Sequence, residues 1–217
     1  MSNSKHVVLL HGLGAHGISL YFYKKAFLAL GYKVHVWSYR VTNRNIEDVV
    51  KVLNKQLNST FRECDNVSFV GHSLGGILIK GILHYNHNCK IHRIVTIGTP
   101  HHGTLAADFS QKYFRYPFRW YLGEVFDQLH WKSEHLYYKF PKNVEIGGIG
   151  SNVDRKKYLN PFAFILNGHV NDGLVEINST HTDEMHDYII TQTDHVSQLW
   201  HRETIEATVR FIECGKF

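Results

Sequence analysis

Six short apolar runs alternate with segments of helical periodicity along the chain, and no other feature limits its fold as tightly. The runs fall at residues 7–10, 34–37, 67–70, 91–97, 144–149 and 188–191. Between the first two, Ile18, Phe22 and Phe27 recur at helical spacing, and Gly31 ends the pattern. Asn43 or Asn45 can cap a second helix whose apolar stripe is Ile46, Val49, Val50, Leu53 and Leu57. Leu74, Ile77, Leu78, Ile82 and Tyr85 mark a third. A closing helix from about residue 197 to 212 turns Leu199, Ile205, Val209 and Ile212 inward. Strand alternating with helix predicts βαβ units, hence an α/β fold with a mostly parallel sheet of about six strands covered on both faces. Chemistry in such a sheet sits beyond the carboxyl ends of the strands.

The loops at those ends are informative. After the first run comes His11-Gly12-Leu13-Gly14, and after the third comes Gly71-His72-Ser73-Leu74-Gly75-Gly76. The latter is G-x-S-x-G between an apolar strand and an apolar helix. Such a serine stands on a very tight strand-to-helix turn, and a Cβ at either flanking position would collide. The turn lifts the hydroxyl above the sheet and aims free helix N–H groups at any oxyanion formed there. The Leu74 N–H is one such donor, and the Gly-rich loop offers the Leu13 N–H as a second.

A nucleophilic serine needs a base and an orienting acid, in chain order serine, acid, histidine. Among 17 histidines, His195 alone falls between the last strand and the last helix. His169, His181 and His186 precede that strand and read as surface residues. Asp172, in Asn171-Asp172-Gly173, combines a turn signal with a following apolar pair and is the candidate acid. Asp154 lies in a basic loop, Asp183 and Asp187 in a polar stretch, and Asp194 adjoins His195 but points elsewhere.

Composition excludes several other classes. At 217 residues the chain buries a core without disulfide or metal staples. Its longest apolar run, residues 161–166, is far too short for a membrane span. Cys64, Cys89 and Cys214 form no pairing framework, and the opening apolar stretch is a strand rather than a signal peptide, so the cytoplasm is the expected compartment. A net charge of +5, evenly spread, does not argue for nucleic acid. His101 and His102 match no standard zinc spacing, so no metal and no cofactor are expected.

These motifs together resemble the α/β-hydrolase superfamily and, within it, the lipase and serine-esterase branch. The matching segments are VVLLHGLGAHG at 7–17, VSFVGHSLGGILIKGIL at 67–83, IVTIGTPHHGT at 94–104, NDGLV at 171–175 and the Asp194-His195 pair. The resemblance implies a minimal hydrolase sheet without the early antiparallel strands of larger members. It implies Ser73 as nucleophile, His195 as base, Asp172 as orienter, and Leu13 and Leu74 as oxyanion donors. The secreted bacterial triacylglycerol lipases it is similar to carry a structural calcium. Here His195-Val196-Ser197 offers no carboxylate, and none is expected.

The expected organisation is one domain over 1–217 with a lid or cap inserted at about 105–143. That stretch is crowded with aromatic rings, among them Phe114, Phe118, Trp120 and Tyr121, interleaved with Lys112, Arg115 and Arg119. The rings either wall an apolar pocket and touch a lipid surface or pack the cap onto the sheet. The expected reaction is hydrolysis of carboxylic esters with lipid-like acyl groups. Thioester cleavage or acyl transfer at the same site is one alternative, and an inactive hydrolase fold that binds lipid or protein is another.

Overall fold

The computed structural model describes residues 5–63, 65–109, 112–113, 124–133, 136–152, 166 and 168–217. Six strands form one sheet: β1 (Lys5–Leu10), β2 (Lys33–Trp37), β3 (Asn66–His72), β4 (Lys90–Ile97), β5 (Glu145–Ser151) and β6 (Asp187–Thr191). Their spatial order is β2-β1-β3-β4-β5-β6, and every neighbouring pair is parallel. Both faces of a strand in such a sheet must be apolar, and the alternation within β1 shows how this is met. Val7 and Leu9 join one core cluster, while Val8 and Leu10 join the other.

Helix α1 (Tyr21–Ala29) covers the first face together with the carboxyl-terminal helix α5 (Arg202–Cys214). Helices α2 (Ile46–Thr60) and α3 (Leu74–His84) cover the second. A short α4 (Ile177–Thr180) precedes β6. Helix α2 starts where the Asn45 side chain accepts a hydrogen bond from the Asp48 N–H at 2.8 Å. All five stripe residues expected for it are buried. From β1 the chain steps outward to β2 and then crosses to β3 on the other side, which opens a crevice at the carboxyl ends of β1 and β3.

Two helix faces differ from expectation. Ile18 is 78% exposed and Phe22 49%, whereas Leu20, Tyr23 and Phe27 point into the core. Residues Gly17–Leu20 form a 3-10 turn, whose three residues per turn break phase with the helix that follows. The closing segment also splits, into a 3-10 turn at Ser197–Leu199 and α5 proper. Its buried face is Thr204, Ala207, Thr208, Phe211 and Ile212, with Ile205 and Val209 half-buried beside it. Threonine is tolerated inside because the Thr208 hydroxyl donates to the Thr204 carbonyl at 2.8 Å.

The lid candidates Phe114, Phe118, Trp120 and Tyr121 lie outside the described residues. Within the rest of that insertion, Val125, Leu129, Tyr138 and Phe140 are buried in the core cluster beneath α2 and α3. Among the described residues, no helix is long and apolar enough to cross a membrane.

Lys80, buried in α3, meets Glu184 at 3.3 Å and lies over the Phe140 ring. Glu184 also accepts the Phe140 N–H at 3.1 Å and keeps 31% of its side chain exposed. The pair is therefore asymmetric: Glu184 can rehydrate alone, and Lys80 cannot. Glu184→Ala is expected to cost about 3 kcal/mol, the low end for an uncompensated buried charge, and Lys80→Met markedly less. Urea unfolding of the two variants checks the order.

Candidate active site

The turn after β3 is built for close approach. A Cβ on Gly71 would lie 2.5 Å from the Gly76 nitrogen, and one on Gly75 would press into the Leu10 carbonyl at the end of β1. With both absent, Ser73 holds φ 53° and ψ −123°, a strained region for any residue but glycine. Its own N–H donates to the Ile97 carbonyl at 2.8 Å, which fixes the turn between β3 and β4.

The other loops converge on this serine. The Ser73 hydroxyl lies 3.0 Å from His195 Nε2, and His195 Nδ1 lies 2.7 Å from Asp172 Oδ2. Asp172 is 1% exposed and His195 6%. The carboxylate fixes the tautomer: Nδ1 carries the proton it donates, so Nε2 is left to accept from the serine. Asp172 Oδ1 in turn accepts the Leu174 and Val175 N–H groups at 3.0 and 2.7 Å. The acid and base loops are also joined through the backbone, His195 N–H to the Asp172 carbonyl at 2.9 Å.

Leu74 is the first residue of α3, and its N–H has no carbonyl partner within the helix. The His11–Gly14 loop lies alongside: a Cβ on Gly12 would stand 3.0 Å from the Ser73 Cβ. The loop is braced from below. His11 Nδ1 donates to the Gly12 carbonyl at 2.8 Å, the Tyr39 hydroxyl donates to the His11 carbonyl, and the two rings stack at 4.3 Å. A cavity of about 420 Å³ opens beside it, bounded by His11, Gly12, His16, Tyr39, Arg40 and Asn43 among others, with no carboxylate among the described residues of its wall.

Two residues here escaped the sequence reading. His72, inside the serine motif, is buried and donates from Nε2 to the His195 carbonyl at 2.9 Å. Burial first, and then the neighbouring His195, push its pKa down to about 3, so it remains a neutral donor. Gln198 donates to Asp172 Oδ2 at 3.1 Å, and nothing in its sequence context marks it. Asp194 turns away as expected and caps its own turn, accepting from the Ser197 N–H at 2.9 Å and the Ser197 hydroxyl at 2.7 Å. His169, His181 and His186 are exposed. His101 is buried within 3.2 Å of the Thr96 hydroxyl, and His102 donates to the His181 carbonyl. Among the described residues, no group of three or more His, Cys, Asp or Glu side chains is placed to hold a metal ion.

Solved structures of similar architecture include lipases and carboxylesterases. The mature lipase BlEst2 of Bacillus licheniformis superposes with a TM-score of 0.78 over 98% of this chain and 93% of that one, at 17% identity. A metagenomic carboxyl esterase gives 0.75 over 98% and 76%, at 16% identity. The Staphylococcus hyicus lipase gives 0.71 over 99% and 98%, at 14% identity. At such identities the likeness establishes the α/β-hydrolase fold. No curated protein matches the chain. The family model for palmitoyl protein thioesterase, however, matches residues 6–186, most of the sequence. The chain is an ester hydrolase of the α/β-hydrolase fold and belongs to the palmitoyl protein thioesterase family.

Proposed function

We propose that Ser73, His195 and Asp172 form a catalytic triad that hydrolyses lipid-like acyl esters through an acyl-enzyme. One observation carries this: a buried, hydrogen-bonded line runs from Asp172 through His195 to a serine held at positive φ. His195 takes the hydroxyl proton as Ser73 Oγ attacks the acyl carbonyl. The Leu13 and Leu74 N–H groups hold the oxyanion. His195 then returns the proton to the leaving group, the acyl group stays on Ser73, and water activated by the same histidine releases the acid. Asp172 orients the imidazole and stabilises its charged form.

The family match favours a second reading of the same site, in which the leaving group is a thiol and the substrate an S-acyl thioester. The chemistry is shared, and only the leaving group differs. The insertion at about 105–143 would roof the acyl chain, with Phe114, Phe118, Trp120 and Tyr121 as its apolar wall. Contact of that roof with a lipid surface belongs to the same proposal.

The test is hydrolysis of matched oxygen esters and thioesters, from acetyl to palmitoyl, by the wild type and by Ser73→Ala. Turnover that peaks at long chains and falls by about 10⁴-fold or more in Ser73→Ala supports the proposal. The ratio of thioester to ester rates then assigns the leaving group. Equal rates in the two proteins would exclude Ser73 as nucleophile, and activity confined to acetyl would exclude the roof as an acyl wall.

A further inference from the structure

Gln198 is fully buried and plays no part in the mechanism above. A buried amide needs a reason, because each unmet polar atom costs free energy. Three contacts fix its place. Its side-chain Nε2 lies 3.1 Å from Asp172 Oδ2, its backbone carbonyl accepts the Tyr23 hydroxyl at 2.7 Å, and its backbone N–H donates to the Asp194 carbonyl at 3.2 Å. The amide orientation follows from chemistry: the oxygen end against a carboxylate would be repulsive, so nitrogen faces Asp172.

Gly98, at the end of β4, makes room for this side chain. It holds φ +55°, and a Cβ there would come within 2.8 Å of Gln198 Nε2 and 3.3 Å of Asp172 Oδ2. The space beside the carboxylate is thus reserved for an amide group. With Gln198 counted, the Asp172 carboxylate accepts four hydrogen bonds. Two N–H groups hold Oδ1, while His195 and Gln198 share Oδ2.

We infer that Gln198 is a positioning residue for catalysis, holding Asp172 Oδ2 at the angle and charge that orient His195. The inference rests on the triad proposed above and adds a fourth member to it. Without the amide, Oδ2 keeps one donor in place of two, and the carboxylate is free to rotate about its Oδ1 anchors. The titratable groups facing this corner are Asp172 itself, His195, His72 of β3, Tyr23 of α1 and Tyr188 of β6. Gly98, just past β4, faces it with backbone alone.

Two near-isosteric variants test it. Gln198→Met removes the donor. Gln198→Glu gives a carboxyl that donates to Asp172 when protonated and repels it when ionised, with burial and like charge raising its pKa. The readouts are the rate of Ser73 labelling by a fluorophosphonate and kcat and KM on the best acyl substrate, on protein shown to be folded by circular dichroism at each pH. The Met variant is expected to lose about tenfold in kcat and in labelling rate, with KM within about twofold of wild type. The labelling rate of the Glu variant relative to wild type is expected to fall about tenfold or more between pH 6 and pH 9.

A merely structural Gln198 would lower the melting temperature but leave the folded fraction reacting at the wild-type rate, with a ratio flat in pH. That result overturns the inference. If the Glu variant does not fold, the Met variant decides alone. Asp172→Asn separates this failure from that of the triad. Wild-type labelling at Ser73 that Asp172→Asn slows and Gln198 variants leave alone removes Gln198 only. Labelling indifferent to Asp172→Asn removes both.

Discussion

Asp172→Asn will lower kcat by about 10⁴-fold while leaving the protein folded, a loss of about 5.5 kcal/mol of transition-state stabilisation. The size follows from hydrogen-bond polarity. Asp172 Oδ1 accepts two backbone N–H groups, from Leu174 and Val175. An asparagine can satisfy them only with its carbonyl oxygen there, which puts its NH₂ where Oδ2 was. That position faces two donors, His195 Nδ1–H and Gln198 Nε2–H. Gln198 can rotate its amide and present oxygen. His195 must change tautomer, so that Nδ1 accepts and Nε2 carries the proton. A protonated Nε2 no longer accepts from Ser73, 3.0 Å away, and the base is lost.

The measurement is steady-state turnover together with the nitrogen chemical shifts of His195, which report the tautomer directly. A loss below tenfold, or an unchanged tautomer, would mean that Asp172 does not orient the histidine. Unfolding is a weaker explanation for any loss, because the substitution keeps the shape of the side chain and both backbone contacts to Oδ1.

The sheet was legible because each strand is an apolar run bounded by turns, and a parallel strand buried on both faces leaves just that trace. The helix faces at the two ends were not. At Ile18 the phase is set by a 3-10 turn that the 3.6-residue period does not describe, so the helical stripe points Ile18 and Phe22 to the wrong side. In α5 a stripe of large aliphatics does not include Thr204 and Thr208, which are buried because local hydrogen bonds satisfy their hydroxyls. At the candidate site, Ser73, Asp172 and His195 could be named because their order and loop context follow from what each must do. Gln198 could not, since a glutamine in a polar turn is ordinary until β4 and α1 close around it. The aromatic insertion lacked any period, so composition suggested what it is made of and not where its rings point.

Acid is expected to destabilise this protein before most of its carboxylates are protonated. Burial lowers the pKa values of His6, His11, His35, His72, His92 and His101 in the folded state, with His72 pushed down to about 3. Each is neutral in both states above the unfolded value of about 6.5, so each contributes its full stability there. As pH falls below that value the unfolded chain takes up protons that the folded chain refuses, and stability drops. For His72 alone the loss at pH 5 is about 2 kcal/mol. His6 and His35 add a contact that tolerates one proton and not two, since Nδ1 of one lies 3.0 Å from Nε2 of the other. Glu176 works in the opposite direction: burial raises its pKa, so its penalty is relieved as pH falls toward 4.5. One raised carboxyl does not offset six depressed imidazoles. The melting temperature is expected to fall by roughly 10 °C or more between pH 7.5 and pH 5, at about 2–4 °C per kcal/mol for a chain of this length. His72→Gln, which keeps a donor for the His195 carbonyl and removes the titration, should make the decline shallower. A melting temperature level from pH 7.5 to pH 5 would mean that these rings hydrate freely in the folded state, and the account of acid lability would fail.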